Sequence, residues 1–261
     1  NAEFNQALDF VKHTNRLVYL TGKAGTGKTT FLKHLKATSK KNVVILAPTG
    51  VAAINAGGET IHSFLQIRPS LYVPNDPRLR ETPPDGDTDR STIYDHFRYR
   101  SEKKEILRAL DLLVIDEVSM VRCDLLDVVD RLLRVFRGKR NVPFGGVQTV
   151  LIGDAFQLPP VAKQEDWNIL GQFYSSPFFF SSKVLEAHKP IYIELKKIYR
   201  QKEEEVIALL NRVRVSEVSQ PEMLVLNGRL DPSFEPDPSK GYITLGTHNA
   251  QVDTINEAKL G

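Results

Sequence analysis

The stretch TGKAGTGKTT, residues 21–30, limits the fold more than any other part of the chain. It follows the apolar run LVYL (17–20) and leads into a helical pattern, and Gly22, Gly27, Lys28 and Thr29 within it satisfy G-x-x-x-x-G-K-[ST]. Glycines in a strand-to-helix turn let the backbone curl, so that successive N–H groups point inward and the first helical turn adds its positive dipole end. Such a loop holds an anion. Lys28 suits the β and γ phosphates of a nucleoside triphosphate, and the Thr29 hydroxyl suits Mg²⁺. Gly22, Ala24, Gly25, Thr26, Gly27, Lys28, Thr29 and Thr30 are therefore the candidate binding loop for ATP with Mg²⁺, against the plain alternative of a glycine-rich turn without a ligand.

A carboxylate for the metal should arrive on a second buried strand. In VIDEVSM, the run LLVID (112–116) delivers Asp116 to a strand end for the metal shell, and Glu117 is the candidate base that orients or deprotonates water. This acidic pair favours hydrolysis over transfer to a substrate hydroxyl. GDAFQLPPV (153–161) starts at a third strand end, and its prolines stiffen the backbone after Gln157, a candidate contact to the γ-phosphate. APTGVAAINAGGETIHSF (47–64) offers small residues with Thr49, Thr60, His62 and Ser63, a composition suited to phosphate-backbone contact through amides and hydroxyls.

The alternation of short apolar strands with helical patterns predicts βαβ crossovers, hence an α/β fold with a mainly parallel sheet. Strands are expected at 17–20, 43–46, 112–116 and 147–154, with helices from Lys28 to about Ala37, at 51–55 and at 124–136. The last presents Leu125, Val128, Val129, Leu132 and Phe136 on one face, with Asp127–Arg131 and Asp130–Arg134 as i,i+4 pairs on the other. Between about 66 and 100 the rhythm breaks at Pro69, Pro74, Pro77, Pro83 and Pro84, which marks an insertion. Its segment 82–91 reads equally as a linker, whereas IYDHFRY carries aromatic surface able to pack. A second unit is expected from about 187, with the strand PIYIEL, the helix EEEVIALLNRVR and, past a Pro-rich loop, the strand YITLG and a final helix.

Composition excludes more than it identifies. With 41% apolar and 26% charged residues, the 261-residue chain can build a sizeable core. A net charge of +3 is too small to demand a polyanionic partner. One cysteine, Cys123, rules out an internal disulfide and reads as a small residue near a helix start rather than a reactive thiol. No apolar run approaches the roughly 20 residues that cross a bilayer, so no membrane partner is expected, and NAEFNQALDFVKH resembles neither a signal nor a transit peptide. The run KATSKK (36–41) reads as a solvated helix end rather than a DNA patch.

In order along nearly the whole chain, GKAGTGKTT, APTGVAA, TIHSF, VIDEVSM, GDAFQLPPV, KIYRQ and THNAQVDTIN resemble the motifs of the Pif-type (petite integration frequency) superfamily-one DNA helicases. The resemblance implies a P-loop, RecA-like first domain (1–65 and 101–185), a wedge-like inserted subdomain (66–100) and a partial second RecA-like domain (187–261). It implies ATP-driven 5′-to-3′ movement on single-stranded DNA, with unwinding of duplexes, RNA–DNA hybrids and G-quadruplexes. Lys28 and Thr29 then serve phosphate and metal, Asp116 and Glu117 metal and water, and Gln157 senses the γ-phosphate. Arg200 matches the arginine finger, and Gln6 either reads adenine or is an exposed helix residue. Candidate DNA contacts are Pro48, Thr49, Gly50, Thr60, His62, Ser63 and Phe64, with Thr247, His248 and Asn249 from the second domain. Phe64 either stacks on a base or fills the core.

The match also has an end. A family block with T-x-H-x-x-Q-G and one with a second catalytic arginine do not occur before Gly261, so this piece is expected to keep nucleotide affinity but to be a poor motor alone. The partner that the resemblance implies is single-stranded and structured DNA, with a monomer as the resting state and dimerisation on DNA left open. The compartment follows the organism: cytoplasm or nucleoid in a bacterium, nucleus in a eukaryote. The rivals are a DNA-independent P-loop ATPase or kinase and a nucleotide-gated single-strand clamp.

Overall fold

The computed structural model describes residues 2–199, 204–235, 237 and 240–260. Six strands, β1 (Val18–Gly22), β2 (Val43–Ala47), β3 (Glu59–Thr60), β4 (Leu112–Ile115), β5 (Gln148–Ile152) and β6 (Ile191–Leu195), form one parallel sheet in the order β3-β2-β4-β5-β1-β6. The helices in the first half are α1 (Ala2–His13), α2 (Lys28–Thr38), α3 (Gly50–Ala56), α4 (Ile61–Leu65), α5 (Ile93–His96) and α6 (Ser101–Ala109). They are followed by α7 (Cys123–Phe136), α8 (Gln164–Leu170), α9 (Lys183–Ala187), α10 (Glu204–Arg214), α11 (Gln220–Asn227) and α12 (Asn249–Leu260). No described helix is long and apolar enough to cross a membrane.

Period-two alternation sorts the sheet's side chains into two layers. Leu112, Val114, Val150 and Ile152 face α1 and α2, where Ala7, Leu8, Val11, Phe31, Leu32 and Leu35 are buried. Leu113, Ile115 and Leu151 face α4, α7 and α9. Register carries the strand ends into line: Leu20 lies opposite both Ile152 and Ile193, and Ile115 opposite Leu46 and Leu151. The loops that leave these carboxyl ends therefore gather along one edge, where α/β sheets bind ligands.

The chain divides into two compact units, Asn1–Val215 and Ser216–Gly261. The start expected near Ala187 falls within the first of these units. Ile191–Leu195 opens no second sheet but hydrogen-bonds to β1, and its Ile193 and Leu195 enter the core beneath the first unit's helices. In the second unit, Tyr242–Gly246 forms no strand, and Ile243 and Leu245 are 85% and 90% exposed. That unit holds α11, whose Ser219 and Glu222 make a capping box with a proline in the first turn.

Residues 66–100 pack on α7. Tyr72, Leu79, Ile93, Phe97 and Tyr99 join its buried cluster, and the Tyr99 and Phe136 rings lie 4.5 Å apart. Segment 82–91 is tied to Arg80, which pairs with Asp87 at 2.5 Å and donates to the Ser91 carbonyl at 3.0 Å. α7 is consequently buried on nearly all sides, which changes its expected charge pairs. Asp130 does meet Arg134, at 2.7 Å. Asp127 instead accepts from Lys183 N (2.9 Å), Val184 N (3.0 Å) and Tyr174 OH (2.9 Å), while Arg131 turns to Glu81 and the Leu79 carbonyl. Lys36 and Lys41 in KATSKK are committed internally. Lys36 donates to the Gly57 carbonyl at 2.6 Å, and Lys41 reaches the Val11 carbonyl (2.7 Å) and the Gln148 amide oxygen (2.5 Å).

Removing an acceptor that serves three donors strands them, whereas a partly exposed ion pair contributes little. Asp127→Ala should therefore lower the unfolding free energy by about 2–3 kcal/mol, and Arg131→Ala by less than about 1 kcal/mol. Denaturant titration of both variants checks the order.

Candidate active site

The loop between β1 and α2 depends on backbone that side chains resist. Gly22 has φ 151°, and a Cβ there would lie 2.5 Å from Thr26 Oγ1 and 2.7 Å from the Leu195 carbonyl. Gly27, at φ 97°, forms the left-handed N-cap of α2. Thr26 Oγ1 donates to the Lys23 carbonyl at 2.8 Å, and Lys28 Nζ donates to the carbonyls of Gly22 (2.6 Å) and Lys23 (3.2 Å). Burial pushes the Lys28 ammonium below its usual range, opposed by Asp154, Glu117 and Asp116 around it.

Asp116 and Glu117 follow β4. Burial, with Glu117 beside it, pushes the Asp116 carboxyl up to about 6 against the Glu117 N–H, which donates to Asp116 Oδ1 at 3.0 Å, and against Lys28. Glu117 itself adopts φ 50°, a left-handed conformation rare for a residue with a side chain. After β5, Gln157 donates its N–H to the Asp154 carbonyl at 2.9 Å.

These loops enclose a cavity of about 690 Å³ lined by the turn from Ala24 to Thr30, Glu117 and Gln157, with Phe4 and Tyr199 as aromatic walls. Phe4 is braced edge-on against Phe31 at 5.4 Å, and Tyr199 donates its N–H to the Gly25 carbonyl at 2.8 Å. Among the described residues no group of three His, Cys, Asp or Glu could hold a metal by itself. A cation bound here would need ligands beyond these side chains, such as phosphate and hydroxyl oxygens. A second cavity, about 610 Å³, lies between α7 and the insertion; along it Asp130 pairs with Arg134, and Asp124 pairs with Arg122 behind the wall.

The family described as AAA domain matches residues 1–172. The ATP-dependent DNA helicase RRM3 of Saccharomyces cerevisiae is 34% identical over 260 residues, covering 95% of this chain and 32% of that protein. The structure of Pif1 helicase from Bacteroides in complex with ADP-AlF3 and ssDNA superposes with a TM-score of 0.87 at 40% identity, covering 100% of this chain and 57% of that one. The chain belongs to the Pif-type family. A structure of two coordinating Pif1 helicases on forked dsDNA gives a TM-score of 0.87 at 41% identity over 100% of this chain and 58% of that one. The sheet is thus RecA-like, and the chain spans about a third of the curated relative it matches.

In this Pif-type chain the candidate DNA residues of the first unit leave adjacent strands. β2 pairs with β3, Ala47 opposite Thr60, so Pro48–Gly50 and Thr60–Ser63 start side by side. The Thr49 and Thr60 hydroxyls are N-caps, accepting from Ala52 N (3.2 Å) and Ser63 N (3.1 Å), which leaves their protons free to donate. His62 is half-buried, and burial with Arg122 nearby lowers its imidazole pKa, favouring the neutral form. Phe64 is 6% exposed in the core under the Lys103 ammonium, 3.3 Å from its ring centroid, so it fills the core and does not stack on a base.

Gln6 is exposed on α1 and does not line the cavity; Phe4 of the same helix does. Arg200 lies outside the described residues. Thr247 Oγ1 and His248 Nδ1, 3.0 Å apart and exposed, precede Asn249 at the start of α12 in the second unit. Sequence reasoning missed Phe4, Tyr199, Asp154 and Arg214. Asp154 stood in GDAFQ unread, and Arg214 carries no motif at all.

A β-branched side chain tolerates the left-handed region poorly and glycine adopts it freely. Glu117→Val should therefore lose about 1–2 kcal/mol, while Glu117→Gly should melt at or above the parent temperature in a thermal scan.

Proposed function

We propose that this chain is the ATP-hydrolysing core of a DNA helicase that moves 5′-to-3′ on single-stranded DNA and opens duplexes, RNA–DNA hybrids and G-quadruplexes. The observation that carries this reading is the single cavity bounded by Lys28, Glu117 and Gln157. The Bacteroides relative with ADP-AlF3 and ssDNA, and the helicase names of the curated relatives, support it. Lys28 and the amides of the loop hold the β and γ phosphates, and Glu117 directs water at the γ-phosphorus. Bound Mg²⁺ supplies positive charge that offsets the phosphates, held by Thr29 and Asp116. Gln157 reads the γ-phosphate, and Arg200 is the finger that meets it. The 5′-to-3′ polarity rests on the family resemblance alone.

Pro48, Thr49, Gly50, Thr60, His62 and Ser63 contact the DNA backbone from the sheet edge that also carries the cavity, with Thr247, His248 and Asn249 contributing from the second unit. Contacts of this kind fix position without reading sequence. The wedge role of 66–100 is part of the same proposal, as is a monomer that pairs on forked DNA, in line with the two coordinating relatives.

ATP turnover with and without single-stranded oligonucleotide tests the reading. Stimulation by DNA is expected, Lys28→Ala should be silent, and Glu117→Gln should lose about 10²–10⁴-fold in rate while retaining nucleotide. Indifference to DNA would identify a P-loop ATPase or kinase, and strand separation undiminished in Glu117→Gln would identify a clamp.

A further inference from the structure

Asp154, immediately beyond β5, is 1% exposed and does not line the cavity. Its carboxylate nevertheless collects four donors. Oδ1 accepts from Phe156 N (3.1 Å) and Arg214 Nη2 (2.6 Å), and Oδ2 accepts from Arg214 Nε (3.2 Å) and Gln157 Nε2 (3.2 Å). Burial alone would raise this carboxyl, but the hydrogen bonds from Arg214, Phe156 and Gln157 outweigh it and hold the group below its usual range. Arg214 sits in the last turn of α10, its side chain 20% exposed and its guanidinium carbon 4.2 Å from the Phe156 ring centroid. A forked pair stacked on an aromatic ring has one geometry, which a lysine cannot reproduce.

A glutamine amide has two protons. One of those on Gln157 is committed to Asp154, and this fixes the plane of the amide and the direction of the other. Without the fork, Asp154 would be a buried, incompletely paired charge free to reorient or attract water, and Gln157 would lose its anchor.

We propose that Arg214 is a positioning residue for ATP hydrolysis, holding the γ-phosphate-facing amide of Gln157 in place through the buried carboxylate of Asp154. The inference rests on the reading of the cavity as an ATP site. It makes α10 part of the catalytic apparatus, because the sensor's orientation depends on where the last turn of that helix lies. It also predicts a defect greater at the γ-phosphate than at the rest of the nucleotide, since neither Arg214 nor Asp154 lines the cavity and both act on Lys28 only through their charge.

The test titrates the full chain with ADP and with a non-hydrolysable ATP analogue, and measures single-turnover hydrolysis at saturating ATP. Arg214→Ala should weaken the analogue by about tenfold or more and slow hydrolysis to a similar degree, with ADP changed by less than about threefold. Arg214→Lys, which keeps the charge but not the fork, should recover part of the loss, and it carries the test if Arg214→Ala melts before the assay temperature. In a Gln157→Ala background, Arg214→Ala should leave the analogue-to-ADP ratio where Gln157→Ala alone puts it, as expected of residues acting in series. Parent-like ratios and rates in both Arg214 variants would overturn the proposal. So would a parallel loss of ADP and analogue affinity, which is the signature of a merely structural contact. If Lys28→Ala binds both nucleotides as the parent does, it is the ATP-site reading that fails.

Discussion

Lys28 stands among three carboxylates, Asp116, Glu117 and Asp154, yet its ammonium is bonded to the main-chain carbonyls of Gly22 and Lys23. A charged lysine so placed is held ready but not neutralised by any one partner. Burial, with Glu117 beside it, pushes the Asp116 carboxyl up to about 6, while Asp154 is offset by an arginine from a distant helix. Such an arrangement needs a scaffold that does not yield, because like charges in a confined space repel. The parallel sheet supplies it, with the carboxyl ends of β1, β4 and β5 held in fixed register by a core buried on both faces.

Much of this was legible in the chain itself, and for a local reason. Buried parallel strands read as apolar runs, phosphate loops need glycines at set spacing, and each signal lies within ten residues. What escaped depends on pairing between distant segments. The burial of Ile191–Leu195 alternates as befits an edge strand, but nothing in IYIEL tells which sheet it joins. Arg214 is 60 residues from the carboxylate it meets. Nothing in the sequence sets Phe4 apart from any other apolar residue, while the nearby Gln6 has the more suggestive chemistry. α11 is the opposite case. Its capping serine, proline and glutamate were all in view, but the surrounding prolines argued for a loop.

α7 shows how context alters a correct pattern. Its apolar positions are where periodicity puts them, yet three neighbours meet its polar face: Asp124 accepts from Tyr72 N of the insertion, Asp127 from Val184 N and Asp130 from Phe144 N. Arg122 anchors the start of that insertion, joining Asp124, which is 0% exposed, to the Ser70 carbonyl. The segment is therefore grafted onto the first unit's core, and it can move as a body only if those buried bonds break.

Cys123 lies at the first position of α7 beneath this graft, fully enclosed, and burial pushes its thiol up to about 12. At neutral pH almost none of it is thiolate, the form that attacks electrophiles. Because it is the sole cysteine in the sequence, the chain offers maleimides and mild oxidants no exposed thiol. A thiol introduced on an exposed helix position such as Val51 or Ile54 would carry a dye or spin label alone, with no need to remove the original.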